Sequence, residues 1–276
     1  MLFISKLINI LRVIKSVRSQ NLSKSLKNKT LKNYFKCIVL NHFYDKQKSF
    51  KLSGYTVHYS VYGGFAYAFN DIFINNDYWF ESDNDTPFII DCGSNIGLSI
   101  IYFKQIFPQS EIISFEPDLD AYECLVKNIK QNAITNIETH NKALSSTECT
   151  LKLNYDKERP GSIKNSTEDI TSISYREVPA VKLSNYINKT VDFIKMDIEG
   201  AETSVIEELD TSGKLKYIKH IILEYHHHIG AKKDCLSVIL NILEKNNFSY
   251  QFISSYNSRH NIDEPHLMMI HCVRNL

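Results

Sequence analysis

Glycine and proline are scarce in this sequence. Only 9 glycines and 6 prolines occur among 276 residues, which excludes a collagen-like repeat and a Pro/Gly-rich disordered chain. Hydrophobic residues make up 43% and charged residues 23%, proportions typical of a globular chain with a packed core. At this length we expect one main domain with an appendage.

Cysteines are few and widely spaced. No two of them form a Cys-x-x-Cys pair, so the sequence indicates neither a zinc site nor a small disulfide-linked scaffold. We interpret them as reduced thiols of a cytoplasmic protein. They are Cys37, Cys92, Cys124, Cys149, Cys235 and Cys272.

A long uninterrupted hydrophobic run is also lacking. The apolar residues 1–17 are broken by Lys6, Arg12 and Lys15, whereas a membrane-spanning helix needs roughly 18 uncharged residues in a row. The segment also lacks the small-residue cleavage site of a secretory signal. We therefore expect neither a spanning helix nor a signal peptide here.

Positive charge is concentrated in residues 1–50. Eleven Lys or Arg stand there against one acidic residue, Asp45, which leaves the rest of the chain at −9 because the whole carries +1. A basic segment on an acidic body predicts a surface contact for that segment alone, and it makes nucleic acid a poor partner for the domain.

Residues 1–50 are predicted to form a basic helical extension. In a helix its apolar residues share one broad face, which holds Phe3, Leu7, Ile10, Leu11, Ile14 and Val17. Such a face either packs on its own domain or, through residues 1–36, lies on an anionic membrane surface. We accordingly expect a cytoplasmic protein, or one peripheral at the inner face of the membrane.

The rest of the chain has an α/β pattern. Residues 51–85 contain strand-like runs, YTVHYSVYGG and NDIFINNDYWF, which predict lead-in strands or a lid. Residues 86–276 then alternate strands with helices, and residues 145–180 indicate an inserted hairpin. The predicted strands of this domain are FIID, EIISFE, NIETHNKAL, VDFIKMD, YIKHIILEY, FSYQFIS and LMMIHCV.

Strands joined by helical crossovers form a mostly parallel, doubly wound sheet, which binds ligands beyond the carboxyl ends of its strands. Four such ends carry polar residues. The first is a turn with Asp91, Gly93 and Gly97, and the second is Glu116, 19 residues beyond Gly97. This spacing is typical of nucleoside binding, in which an acidic residue holds the ribose hydroxyls.

The turn differs from the G-x-G-x-x-G pattern of dinucleotide-binding proteins. Its glycines are Gly93 and Gly97, and Asp91 precedes them, where a carboxylate would repel a pyrophosphate. A carboxylate there favours a cofactor with a cationic amino-acid portion, such as S-adenosylmethionine. Two alternatives stay open: an NAD-binding oxidoreductase and a non-catalytic scaffold of the same fold.

The later strand ends bring further side chains to the same edge. Asp197 and Glu199 follow one strand, and Glu224 and His226 end the next. We predict that His226 acts as a general base toward a substrate hydroxyl. Alternatively, Asp197, Glu224 and His226 hold a divalent cation, although we do not expect a metal site. Glu202 is expected only to stabilise the first turn of the following helix.

Several of these motifs together resemble the FkbM family of S-adenosylmethionine-dependent methyltransferases. They are FIIDCGSNIGLS, SFEPD, KNIKQN, KALS, VDFIKMDIEGAE and ILEYH, spread over residues 86–228. The first is common among methyltransferases, whereas its combination with KMDIEGAE is more specific. The resemblance implies a seven-stranded Rossmann-like methyltransferase sheet and an enzyme that O-methylates a sugar, a glycan or another small natural product, for example in surface polysaccharide biosynthesis.

The resemblance also implies a set of site residues. Those expected around S-adenosylmethionine are Asp91, Gly93, Ser94, Asn95, Gly97, Glu116, Pro117, Asn141, Ala143, Leu144 and Asp197, with the stretch from Asn141 to Leu144 near the adenine. Asp197 and Glu199 would border the reacting methyl group. Glu224 and His226 complete the catalytic set on the basis of their chemistry and position, because the resemblance assigns no general base. For the acceptor, Tyr78, Trp79 and Phe80 offer an apolar wall against a sugar ring.

Overall fold

The computed structural model describes residues 2–39, 48–154, 175–227, 236–253 and 266–275. Two helices come first, α1 (Leu2–Ser19) and α2 (Lys24–Val39). An antiparallel pair, β1 (Ser49–Leu52) and β2 (Tyr55–His58), follows. Helix α3 (Tyr62–Phe69) then continues into a π-helical turn (Asn70–Asn75).

A seven-stranded sheet forms the centre of the protein. Its strands are β3 (Phe88–Cys92), β4 (Glu111–Phe115), β5 (Ile137–His140), β9 (Val191–Met196), β10 (Ile218–His227), β11 (Phe248–Ile253) and β12 (His266–Arg274). Their order is β11-β12-β10-β9-β3-β4-β5, and the five strands from β10 to β5 are parallel. The predicted seven-stranded, mostly parallel sheet is confirmed.

Helices cover the sheet and follow its strands along the chain. They are α4 (Leu98–Ile106), α5 (Leu119–Gln131), α6 (Glu202–Thr211) and α7 (Leu236–Lys245). All residues of β3 and β9 are buried, because helices or the N-terminal elements pack on each face of the sheet. The strand order turns in opposite directions on either side of β3, so the switch point lies at the carboxyl ends of β3 and β9.

The predicted strand 136–144 is divided in two. β5 ends at His140, and the short β6 (Ala143–Leu144) pairs instead with β8 (Tyr175–Val181) in a second sheet. Between them, Asn141 Nδ2 donates to the carbonyls of Glu116 and Pro117 at 2.9 and 3.0 Å and ties the chain to the end of β4. β7 (Cys149–Asn154) is antiparallel to β8, and residues 155–174 of the predicted hairpin lie outside the described residues.

Residues 62–75 of the lead-in segment are helical, and the expected strand over NDIFINNDYWF is wrong. Phe65, Phe69 and Phe73 recur every four residues, a helical spacing, and their rings stack with centroids 6.2 and 5.2 Å apart. Aromatic residues have high strand propensity, but this one-sided burial selects the helix.

The N-terminal helices pack on this aromatic segment. Val13 and Val17 of α1 are buried, and Gln20 Nε2 donates to the carbonyl of Ile74 at 2.9 Å. In α2, Asn33 Nδ2 donates to Ser53 Oγ at 2.8 Å. Among the described helices, none has the length and apolar character needed to cross a bilayer.

Candidate active site

Two glycines shape the turn after β3, and packing requires both. Gly93 and Gly97 each have φ +86°, a backbone conformation that favours glycine. A Cβ on Gly93 would collide with the carbonyl oxygen of Asp197, and one on Gly97 would lie 2.6 Å from Leu125 Cδ1. The glycines therefore let the ends of β3 and β9 and helix α5 approach closely.

Glu116 links this turn to the end of β4. Its Oε2 accepts from the Asn95 amide at 2.7 Å, and its Oε1 accepts from the Asp118 amide at 2.8 Å. Burial raises the pKa of Glu116 to about 7, against the opposing effect of these two amides. Each carboxylate oxygen keeps a further acceptor site, which a ligand hydroxyl can occupy.

The other residues predicted around the cofactor support the same region. Ser94 is buried and donates from Oγ to the Asp91 carbonyl at 3.1 Å. Leu144 is buried in the core, and Ala143 precedes it in β6. With its bonds to the carbonyls of Glu116 and Pro117, Asn141 fixes the path of the chain beside the turn. An adenine contact for the stretch from Asn141 to Leu144 stays a prediction.

A buried lysine lies between two carboxylates at the ends of β3 and β9. Lys195 Nζ is 3.6 Å from Asp91 Oδ1 and 3.3 Å from Asp197 Oδ2, and it also donates to the Gly93 carbonyl. Burial lowers the pKa of Lys195, but the charges of Asp197 and Asp91 outweigh it and raise this pKa. The sequence pattern predicts no role for Lys195, although KMD places it two residues before Asp197.

Ser99 completes the contacts of Asp91. Its Oγ donates to Asp91 Oδ2 at 2.5 Å from the first turn of α4. Helix α4 begins after Gly97 without a side-chain cap, so its first amides are free of such a partner. The turn thus combines a buried carboxylate with the uncapped start of a helix.

His226 is enclosed by carboxylates. Its Nδ1 is 3.0 Å from Glu202 Oε1, and its Nε2 is 3.3 Å from Glu199 Oε2 and 4.0 Å from Asp197 Oδ1. Burial lowers the pKa of His226, but the hydrogen bond and charge of Glu202, with Asp197 and Glu199, raise it to about 10. The imidazole is therefore protonated at neutral pH, the opposite of the state that a general base needs.

Glu202 has a larger role than the sequence predicts. It begins α6 as expected, yet its buried carboxylate accepts from the Gly200 amide at 3.0 Å and from the Ile198 amide at 3.2 Å, besides binding His226. It therefore closes the loop between β9 and α6. The sequence feature that could have indicated this role is the second acidic residue of EGAE, three residues after Glu199.

Glu199 occupies a strained position in that loop. Its φ is +51°, in the left-handed region that non-glycine residues seldom adopt. Its side chain is 29% exposed and holds His226 by one oxygen. Burial raises the pKa of Glu199 to about 7, with Asp197 and Glu202 adding to the rise and His226 opposing it.

Glu224 lies on the far side of Lys195, next to Tyr78. Tyr78 Oη donates to Glu224 Oε2 at 3.4 Å, and its ring centroid is 5.4 Å from Lys195 Nζ. Burial and the charge of Asp197 raise the pKa of Glu224 to about 8. Of the expected aromatic wall, Tyr78 thus reaches the site, whereas Phe80 stacks on Phe193 in the core at 4.2 Å between centroids.

Three ligand-type atoms lie close enough to surround one metal ion. They belong to Asp197, Glu199 and His226, and all lie within 4.8 Å of one another. Glu199 takes the place that the sequence-based alternative gave to Glu224. For His226 to bind an ion it must first lose the Nε2 proton that faces Glu199.

Comparison with known proteins finds matching methyltransferases. The model of the methyltransferase FkbM domain matches residues 91–250. Methyltransferase 1 of Beauveria bassiana is 27% identical over 162 residues, which cover 51% of this chain and 65% of that protein. Methyltransferase sdnD of Sordaria araneosa is 26% identical over 192 residues, covering 57% of this chain and 73% of the other.

Solved structures show weaker likeness. The crystal structure of methyltransferase FkbM from Methylobacillus flagellatus KT has a TM-score of 0.49 and 13% identity, covering 97% of this chain and 60% of that one. The chain thus spans less than two thirds of that protein and of the Beauveria relative. Because the family model covers more than half of the chain, including the turn after β3 and the loop after β9, the chain belongs to the FkbM methyltransferase family.

Proposed function

We propose that this protein is an S-adenosylmethionine-dependent O-methyltransferase. The observation that carries the proposal is the position of Glu116. Its buried carboxylate bridges the two turns beyond β3 and β4. β3 is also the neighbour of β9, whose end carries the acidic loop. A nucleoside held by Glu116 would extend from there toward Asp197 and Glu199.

The residues present fit this cofactor. Glu116 offers acceptors to the ribose hydroxyls, and the uncapped start of α4 offers amides to the cofactor carboxylate. The carboxylates of Asp91 and Asp197 suit its ammonium and sulfonium groups. The same two carboxylates would repel the pyrophosphate of NAD, which disfavours a dehydrogenase. When bound, S-adenosylmethionine supplies a methyl group activated by the positive sulfur.

Glu199 is the best general base among the four predicted catalytic residues. It is partly exposed, and its pKa of about 7 lies close to neutral pH. A general base is most efficient when its pKa is near the pH of the reaction. His226 is then a positioning residue, since its protonated ring holds the Glu199 carboxylate in place. Glu202 holds the ring from the other side.

The remaining contribution is alignment of the acceptor. A substrate oxygen must attack the methyl group in line with the departing sulfur, with water excluded. Tyr78 packs on Lys195 and donates to Glu224, and we expect this pair to contact the acceptor. A hydroxyl of a sugar, a glycan or another small natural product is the acceptor class that the family resemblance supports, with surface polysaccharide biosynthesis as one setting.

Calorimetry tests the cofactor site directly. We expect S-adenosylmethionine and S-adenosylhomocysteine to bind and NADH not to bind. Glu116→Ala should weaken binding by about 1.5–3 kcal/mol through loss of charge-assisted hydrogen bonds. Glu111→Ala, an exposed position at the other end of β4, is the matched control and should bind normally. If folded Glu116→Ala bound S-adenosylmethionine with unchanged affinity, Glu116 would not belong to the cofactor site.

A further inference from the structure

Helix α1 has two unlike faces. Its inner face packs on the body of the protein, where Val17 is fully buried and Ser16 Oγ donates to the Ile74 carbonyl at 3.1 Å. Its outer face leaves large apolar side chains in solvent: Leu7 is 49%, Ile8 44% and Leu11 57% exposed. Packing on the body therefore accounts for only one part of the apolar residues of this helix.

Basic residues continue the exposed row. Leu7, Leu11, Lys15 and Arg18 follow one another at spacings of four, four and three residues, which places them along one side of the helix. Lys15 and Arg18 are exposed, as is the neighbouring Arg12. The outer face is thus apolar in its first turns and cationic in its later turns.

Helix α2 repeats this combination. Phe35 and Ile38 are exposed near its end, three residues apart, and Lys32 is exposed one turn before Phe35. Neither α1 nor α2 contains an acidic residue. Exposed apolar groups among cations, with no compensating carboxylate, are the pattern of a helix that lies at a lipid interface.

We infer that α1 and α2 attach this protein to an anionic membrane surface. Leu7, Ile8 and Leu11 would enter the interfacial layer, and Arg12, Lys15 and Arg18 would contact the lipid headgroups. The acidic remainder of the chain, at −9, would be repelled by the same surface, so the charge distribution also orients the protein with its helices toward the lipid.

Other partners fit these faces less well. A second copy of the chain would bring two strongly basic segments together, each with eleven Lys or Arg in residues 1–50. A nucleic acid would use the cations but leave Leu7 and Leu11 in water. An anionic lipid surface satisfies both the charge and the apolar side chains.

Co-sedimentation of the full chain with vesicles tests the inference. We expect binding to vesicles of phosphatidylcholine with phosphatidylglycerol, little binding to phosphatidylcholine alone, and weakening as salt is raised. Leu7→Gln with Leu11→Gln, and separately Lys15→Gln with Arg18→Gln, should each lower the partition coefficient about tenfold or more. Val273→Gln, an exposed apolar position on β12, is the matched control and should not change it.

The substituted side chains are exposed, so the variants should keep the wild-type melting temperature and cofactor affinity. Equal binding to both kinds of vesicle, or none to either, overturns the inference. So does a wild-type partition coefficient in the double leucine variant. Light scattering that shows a dimer lost in that variant would assign the face to a second copy instead.

Discussion

Nδ1 of His226 lies 3.0 Å from Oε1 of Glu202, and both side chains are almost completely buried. Glu202 thereby fixes the imidazole through Nδ1, while Nε2 faces Glu199 and Asp197. The sequence predicts that His226 is a neutral general base. The raised pKa instead makes it a cation at neutral pH, held in one orientation. This pair therefore determines which residue is left to accept the substrate proton.

Replacing Glu202 by Gln should change the charge of His226. The substitution keeps the size of the side chain but removes the negative charge, so we expect the pKa of His226 to fall from about 10 toward its usual range. NMR titration of the imidazole measures this. Glu207→Gln, an exposed position on the same helix, should leave the titration unchanged. A His226 pKa that is the same in both variants would contradict the role of Glu202.

Stability should decrease at alkaline pH. The folded-state pKa of His226, about 10, lies above its ordinary value of 6.5, so this residue stabilises the fold fully below pH 6.5 and loses that effect as pH rises toward 10. Glu199 and Glu224, with pKa values raised to about 7 and 8, add a decrease of the same sign at lower pH. Urea unfolding should show a shallower decrease for His226→Asn between pH 6.5 and 10; an equally steep one would refute the assignment.

Glu199→Gln should lower kcat by roughly 100-fold to 10,000-fold, the usual contribution of a general base. Cofactor affinity should stay within about twofold, because the proton is accepted only during the reaction. Single-turnover kinetics and calorimetry separate the two effects, with Glu207→Gln as the control. If kcat survives in Glu199→Gln and falls in Glu224→Gln, the base is Glu224.

Chelation should leave methyl transfer unchanged. The raised pKa of His226 leaves a proton on Nε2 in the space between the imidazole and Glu199, where an ion would have to bind. Activity before and after EDTA treatment checks this. Loss of activity that added Mg²⁺ or Mn²⁺ restores would instead assign a metal ion to Asp197, Glu199 and His226.

Gly93→Ala should destabilise the protein more than Gly54→Ala does. Both glycines have positive φ, so both substitutions cost about 1–2 kcal/mol in backbone strain. A Cβ at Gly54 meets nothing within 4 Å, whereas one at Gly93 collides with backbone. We expect a further loss on the order of 2 kcal/mol or more for Gly93→Ala, measured by urea unfolding. Equal losses would show that the turn can open.

Much of the fold is readable from sequence because it depends on local pattern. FIID and VDFIKM are short apolar runs between turn signals, which is how strands buried on both faces appear. The ends of these strands predict where Asp91, Glu116 and Asp197 gather. The segment around Phe73 is predicted as strand but is helical, because aromatic residues suit strands and helices alike when they are buried on one side.

The charge state of His226 was not readable in the same way. It depends on Glu202, 24 residues earlier, and on a loop in which Glu199 adopts positive φ. Neither alternation along a strand nor helical spacing predicts such a loop. The burial of Lys195 between Asp91 and Asp197 likewise requires two neighbouring strands in register, with Asp91 opposite Lys195.

The close approach at Gly93 has a mechanical consequence. The Asp197 amide donates to the Cys92 carbonyl at 3.1 Å, and the Gly93 amide donates to the Phe115 carbonyl at 2.9 Å. Main-chain hydrogen bonds therefore join the ends of β9, β3 and β4. The turn that would hold the methyl donor is therefore tied directly to the first residue of the loop that carries Glu199. The spacing between these three strand ends is thus set by main-chain hydrogen bonds.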